Sequence, residues 1–109
     1  MIIITTIKPT EEEIDKMLED FESYIKVVID IEEGILAGGG DRHFDAEQLL
    51  LEQGSKQANL WGGGIDWETK EIDYNSMINL RPTQDNPSRD ILDINIRIKF
   101  DEIMKKILL

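Results

Sequence analysis

The spacing of apolar and polar residues at the start of the chain predicts a strand followed by a helix. Residues 2–7 are mostly apolar and β-branched, which favours a short strand ahead of Pro9. Thr10 is followed three residues later by Glu13, the pattern of a capping box in which each side chain binds the other residue's backbone N–H. A helix is therefore predicted to begin after Thr10. Its apolar stripe comprises Ile14, Met17, Leu18 and Phe21.

Two β-hairpins are predicted further along the chain. Residues 24–31 are rich in Ile and Val, and a Glu-Glu-Gly turn separates them from the apolar run 35–37. In residues 61–67, Trp61, Gly63, Ile65 and Trp67 alternate with Gly62, Gly64 and Asp66, which places both tryptophans on one face of a strand. Residues 72–81 alternate between apolar and polar side chains, as in a half-solvated strand. Each pair of segments therefore predicts an antiparallel pair of strands.

A second helix is predicted between the two hairpins, after a run of three glycines. Asp45 is its expected N-cap, and Phe44 and Leu49 are expected to pack on each other as a hydrophobic staple. Gly54 is expected to end the helix, because glycine adopts the left-handed conformation that follows many helix C-termini.

The C-terminal segment fits two periodicities. Residues 92–100 alternate as in a strand, whereas six apolar residues from Leu92 to Ile107 also form one helical face. Length and the absence of a turn signal favour a helix. Ile91, Ile94 and Ile98 would then lie on the opposite face, which predicts a homodimer interface. The alternative is that these three residues pack under the preceding polar loop.

The predicted fold class is α+β, with elements in the order β-α-β-β-α-β-β-α. We expect a mainly antiparallel sheet of about five strands, two to three helices, and helices covering mainly one side of the sheet. A chain of 109 residues has the usual length of one domain, so residues 1–109 are expected to form a single compact unit.

Composition and charge exclude several classes of partner. A net charge of −11 opposes binding to nucleic acid and to anionic membranes, and no apolar run is long enough to span a bilayer. The three isoleucines at residues 2–4 have no basic leader or cleavage site and so do not resemble a signal peptide. The chain has no cysteine, and we expect a cytoplasmic protein.

His43 is the one histidine, and it begins an H-x-D-x-E string with Asp45 and Glu47. Helix capping and the helix dipole already account for the two acidic residues. Without further histidines or any cysteine, neither a metal site nor a cofactor is expected. His43 remains the sole side chain suited to acid-base chemistry near neutral pH.

Four of the few basic residues of this acidic chain, Arg42, Lys56, Arg81 and Arg89, lie in or beside its irregular segments. Arginine offers bidentate hydrogen bonds to carboxylate and phosphate groups, so convergence of these side chains would form an anion pocket. The alternative is that they pair with some of the 23 acidic residues. The candidate ligand-binding residues are Arg42, His43, Lys56, Gln57, Asn79, Arg81 and Arg89.

Three stretches of the chain resemble a family of short uncharacterised prokaryotic proteins, known only as a domain of unknown function. The stretches are the glycine run into His43-Phe44-Asp45-Ala46-Glu47, Gly54-Ser55-Lys56-Gln57 ahead of Leu60-Trp61-Gly62, and residues 76–82. The resemblance implies a helical tail but no activity or ligand. After Trp61 this chain departs from the family pattern, because Gly63-Gly64 replaces a longer polar segment.

Two functional hypotheses follow for a protein whose activity the sequence does not define. The first is a non-enzymatic homodimer that acts through a partner or a small ligand. The second is a small enzyme or binder acting on a phosphate or carboxylate ligand.

Overall fold

The computed structural model describes residues 1–109, and its elements follow the predicted order β-α-β-β-α-β-β-α. The α+β class is confirmed. The strands are β1 (Ile3–Thr5), β2 (Tyr24–Asp30), β3 (Ile35–Gly38), β4 (Leu60–Asp66) and β5 (Ile72–Asp73). The helices are α1 (Glu11–Met17), α2 (His43–Glu52) and α3 (Ile94–Leu108). None of these helices has the length and apolar character needed to cross a membrane.

All strand pairs in the sheet are antiparallel, and the spatial order is β1-β3-β2-β4-β5. Both predicted hairpins, β2–β3 and β4–β5, are present. The long strands β2 and β4 pair along their full length, from Tyr24 opposite Asp66 to Asp30 opposite Leu60. This register places the even-numbered residues of the two strands on one face of the sheet.

Helices cover both faces of the sheet, so the expectation of cover mainly on one side was wrong. One core joins α1 and α3 to the odd-numbered side chains of β2, and a second core joins α2 to the opposite face. Val27, Val28 and Ile29 are all fully buried. A strand with apolar side chains at consecutive positions must be covered on both faces. The run Val27-Val28-Ile29 was therefore the sequence signal for a sheet with helices on both faces.

Helix α1 begins where the sequence predicted. The Glu13 N–H donates to Thr10 Oγ1 at 3.2 Å, and the Thr10 N–H donates to Glu13 Oε1 at 2.9 Å, which confirms the capping box. The helix ends at Met17, so Phe21 lies beyond it and is partly exposed. The predicted stripe was therefore too long by one turn.

Helix α2 begins three residues earlier than expected. Arg42 is the N-cap residue, and Asp45 lies within the first turn, where it binds the Arg42 guanidinium. Phe44 and Leu49 are both exposed, so the predicted staple was wrong. Gly54 follows the helix with φ of 104°, a value that strains other residues, and this prediction is confirmed.

The predicted strand 72–81 was wrong after its first two residues. Beyond Asp73 the chain enters a loop with a 3₁₀ turn at Met77–Asn79, and the Ser76 side chain accepts a hydrogen bond from the Ile78 N–H at its start. The alternation misleads here, because the polar residues Ser76 and Asn79 are buried whereas the apolar residues Met77 and Leu80 are exposed.

The C-terminal segment is helical, as predicted, and Asp93 is its N-cap. The buried side chains of α3 are Phe100, Met104, Ile107 and Leu108. Ile91 lies before the helix and is fully buried in the core, so its assignment to a dimer interface was wrong. Ile94 and Ile98 remain 64% and 48% exposed.

Candidate functional site

A cleft lies where the first residues of α2 approach strands β2, β4 and β5. It consists of two adjoining hollows that share Lys26, His43 and Met77, and we call the whole the His43 cleft. The polar hollow, of about 380 Å³, is lined by Tyr24, Lys26, His43, Asp73, Asn75, Ser76, Met77 and Arg89. The apolar hollow, of about 430 Å³, is lined by Lys26, Arg42, His43, Phe44, Met77 and Ile78.

Glycines of β4 make room for the side chains around the cleft. A Cβ on Gly64 would overlap the hydroxyl of Tyr24, which crosses β4 at this point. A Cβ on Gly62 would lie 2.6 Å from the Cβ of Ser76. The second glycine run of the sequence therefore serves close packing over a strand, which requires residues without side chains.

Tyr24 and Asp73 are joined across this strand. The Tyr24 hydroxyl donates a hydrogen bond of 2.6 Å to Asp73 Oδ2, and Asp73 Oδ1 accepts a bond from the backbone N–H of Asn75. Burial, and secondarily the Asp73 carboxylate, raise the pKa of Tyr24 well above its ordinary value. Both carboxylate oxygens are therefore engaged, and Tyr24 stays protonated at neutral pH.

His43, the first residue of α2, is held by one hydrogen bond to the strand beneath it. Its Nε2 lies 2.7 Å from the carbonyl oxygen of Gly63, and a carbonyl can only accept, so Nε2 carries the proton. Burial lowers the pKa of His43, and the bond to Gly63 offsets this only partly. The imidazole is therefore neutral at pH 7, and its Nδ1 is an acceptor that forms no hydrogen bond within the chain.

Two cationic side chains in the polar hollow have donors to spare. Lys26 Nζ donates to the carbonyl oxygen of Asp41 at 2.6 Å, which uses one of its three N–H groups. The Arg89 guanidinium forms no hydrogen bond or ion pair within the chain, although its backbone carbonyl is fixed by the Ser76 N–H at 3.1 Å. Two cations thus face the single carboxylate of Asp73, and the lining carries net positive charge.

Arg42 borders the apolar hollow but is already paired. Its Nη2 lies 3.0 Å from Asp45 Oδ1 and its Nε lies 3.2 Å from Oδ2, a bidentate ion pair at an exposed position. Hydrogen bonding to Asp45 raises the pKa of Arg42. Of the candidate ligand-binding residues, Arg42, His43 and Arg89 are therefore brought to one cleft, with Arg42 the least available.

Asn79 holds the loop together from inside and does not face the cleft. Its Oδ1 accepts from the Gly62 N–H at 2.8 Å. Its Nδ2 lies 2.9 Å from each of three carbonyl oxygens, those of Gly62, Tyr74 and Arg89. Asn79 is completely buried and therefore acts by positioning the backbone that carries Arg89.

Arg81 is likewise buried and already occupied. Its guanidinium donates to the carbonyl oxygens of Ile78, Gln57 and Leu60, and it stacks 4.5 Å from the centre of the Trp61 ring. Burial lowers its pKa, although the charge of Glu47 partly offsets this. Its donors tie the loop to the start of β4.

The remaining candidates, Lys56 and Gln57, lie away from the His43 cleft. Lys56 borders a separate hollow together with Asp30, Glu32 and Glu33. Gln57 is exposed and contributes its carbonyl to Arg81. The seven candidates therefore do not form one site.

Tyr24, Lys26 and Asp73 belong to the cleft but were not among the candidates. They meet because Lys26 and Asp73 both pair with Gly64, from opposite sides of β4. These residues could have been identified only from the register of β2, β4 and β5, which the sequence did not supply, since cross-strand neighbours lie far apart in the chain.

The fold and the cleft define a class: an α+β domain with a cation-lined cleft over a glycine-rich strand. The chain belongs to the family described as protein of unknown function (DUF5674), whose family model matches residues 2–107. No curated protein and no solved structure matches the chain.

Proposed function

We propose that this chain binds a small anionic ligand, carrying a phosphate or carboxylate group, in the polar hollow of the His43 cleft. The observation that carries the proposal is that Lys26 and Arg89 line the same hollow with unused donors. The sole carboxylate there, Asp73, already accepts two hydrogen bonds. An incoming anion would therefore supply the acceptors that these cations lack.

The local charge of the cleft favours this assignment. At a net charge of −11, most of the surface repels anions, so a locally cationic cleft concentrates anion binding at one place. Helix α2 begins at the cleft, and the positive end of its dipole adds to the attraction. The neutral His43 contributes Nδ1 as an acceptor for a hydroxyl of the ligand or for a protonated oxygen of the anion.

Calorimetric titration with inorganic phosphate and with acetate tests the proposal. Lys26→Gln and Arg89→Gln should each weaken binding about tenfold, the effect of losing one charge-assisted hydrogen bond. Lys105→Gln is the matched control, because Lys105 is an exposed lysine of α3 outside the cleft lining. Failure of the wild-type chain to bind either anion, or equal losses in all three variants, would overturn the proposal.

We also propose that the chain forms a homodimer through the exposed apolar residues at the start of α3. Ile94 and Ile98 lie one helical turn apart, and Leu92 just before the helix is also exposed. None of the three belongs to either core cluster, so their apolar surface is free to pack on a second copy.

Light scattering of the wild type and of the double variant Ile94→Glu, Ile98→Glu tests the dimer. The wild type should have the mass of two chains, and the variant should be a folded monomer, because buried charge opposes association. Ile7→Glu is the control, since Ile7 is exposed and lies in the segment after β1. A wild-type monomer would exclude this interface.

A further inference from the structure

Two apolar side chains that line the apolar hollow are not part of either core of the fold. Phe44 is 53% exposed and Met77 is 58% exposed, and neither belongs to a core cluster or packs against one. Ile78 completes the apolar wall and is half-buried. Large apolar side chains that gather at a concave surface commonly mark a binding site.

This apolar wall continues directly into the cationic part of the cleft. Lys26, His43 and Met77 line both hollows, so the two hollows adjoin at these three side chains. One ligand can therefore place its anionic group beside Lys26 and Arg89 and its remaining atoms against Phe44 and Met77. Both hollows have the size of small-molecule sites.

The composition of the wall favours an aromatic ring over an alkyl chain. Phe44 offers stacking or edge contacts to a ring, and the thioether of Met77 contacts aromatic groups favourably. Lys26, which lines the apolar hollow, carries an ammonium that can also form a cation–π contact with a ring, as it does at 5.2 Å from the centre of the Phe21 ring. Arg42, at the edge of the same hollow, has a planar guanidinium that also stacks on rings.

We infer that the ligand is an aromatic acid, with its phosphate or carboxylate in the polar hollow and its ring in the apolar hollow. This inference rests on the proposed anion-binding function and specifies the chemical class of its ligand.

Titration with a matched pair of anions separates the two hollows. Methyl phosphate and phenyl phosphate carry the same kind of anionic group and differ in the ring. The wild-type chain should bind phenyl phosphate about tenfold more tightly, the effect expected for burying part of a ring. The variant Phe44→Ala, at a residue that lines only the apolar hollow, should lose most of this preference and should retain the wild-type affinity for methyl phosphate.

The control for the apolar hollow is Leu49→Ala, which removes another exposed apolar side chain of α2 that does not line it. This variant should keep the wild-type preference for phenyl phosphate. Equal affinity of the wild type for the two anions, or a full preference that survives Phe44→Ala, would overturn the inference while leaving anion binding intact. If the wild-type chain binds neither anion, the proposed function itself is overturned.

Discussion

The hydroxyl of Tyr24 and the carboxylate of Asp73 meet at 2.6 Å across strand β4, at the point where Gly64 has no side chain. Strands β2 and β5 are not neighbours in the sheet, so this bond ties together two strands that share no backbone pairing. It also fixes one wall of the polar hollow, because both residues line it. The cleft depends on this glycine for its shape.

Gly64→Ala should therefore destabilise the fold and displace Tyr24. The added methyl group would overlap the Tyr24 hydroxyl, and overpacking of this kind costs about 1 to 3 kcal/mol. Gly34→Ala is the control, because Gly34 has open space around it and its φ of 69° implies a cost of only about 1 to 2 kcal/mol. Urea unfolding of the two variants and the wild type measures both changes in unfolding free energy. A Gly64→Ala variant as stable as the wild type would contradict the described crossing.

His43 should titrate below its ordinary pKa of about 6.5. Because burial lowers the pKa in the folded state, the unfolded chain binds a proton at higher pH than the folded chain. The neutral His43 imidazole thus contributes to the free energy of unfolding above about pH 6.5, and this contribution is lost as the pH falls through the folded-state pKa. NMR titration of the ring protons gives the pKa directly. A value at or above 6.5 would show that the ring is not buried as described.

Glu47→Gln should become more stabilising, relative to wild type, as the pH rises. Glu47 is only 4% exposed and its Oε2 has no hydrogen-bond partner, so burial raises its pKa, although the charge of Arg81 partly offsets this. A raised folded-state pKa favours the folded chain below about pH 4.5, and this advantage is lost as the pH rises through the folded-state value.

The difference in unfolding free energy between the Glu47→Gln variant and the wild type measures this effect. It should grow by about 1 kcal/mol between pH 4 and pH 7, in favour of the variant. Glu52→Gln provides the comparison, because Glu52 is an exposed residue of the same helix and should show no such growth. A difference in unfolding free energy that does not change with pH for Glu47→Gln would show that the Glu47 carboxylate is solvated or paired in the folded chain.

Asn79→Ala should cost about 3 kcal/mol, because it leaves buried backbone groups of several segments without partners. Asn75→Ala is the matched control, since the exposed Asn75 side chain forms one hydrogen bond, to Asp90. Its loss should cost less than about 1 kcal/mol. Thermal unfolding of the two variants tests the prediction, and equal costs would contradict the structural role given to Asn79.

Local sequence signals predicted the fold well where the physical cause was local. The Thr10 and Glu13 capping box and the β2–β3 turn depend on residues a few positions apart, and both were confirmed. The apolar face of α3 was confirmed from Ile96 onward, whereas Leu92 lies before the helix and is exposed. The segment after Asp73 was mispredicted because its polar residues bind distant backbone. Asn79, for example, bonds to groups of Gly62 and Arg89, which no local periodicity reveals.

The same distinction applies to the candidate site. Arg42 and Arg89 were chosen as basic residues in irregular segments and His43 as the sole acid-base group suited to neutral pH, and all three border one cleft. Arg81 was chosen on the same grounds, but carbonyl oxygens already occupy its guanidinium. Lys26 escaped notice because it lies within a strand, and only the pairing of β2 with β4 brings it into the cleft.

The most direct test of anion binding in the His43 cleft is an NMR titration of the ¹⁵N-labelled chain with inorganic phosphate. The backbone amides of residues 62–64 and 76–77 and the ring of His43 should shift together, with one shared dissociation constant. The amides around Lys56, in the separate hollow beside Asp30, should stay in place. Absence of shifts in the cleft, or shifts centred on Lys56, would contradict this account.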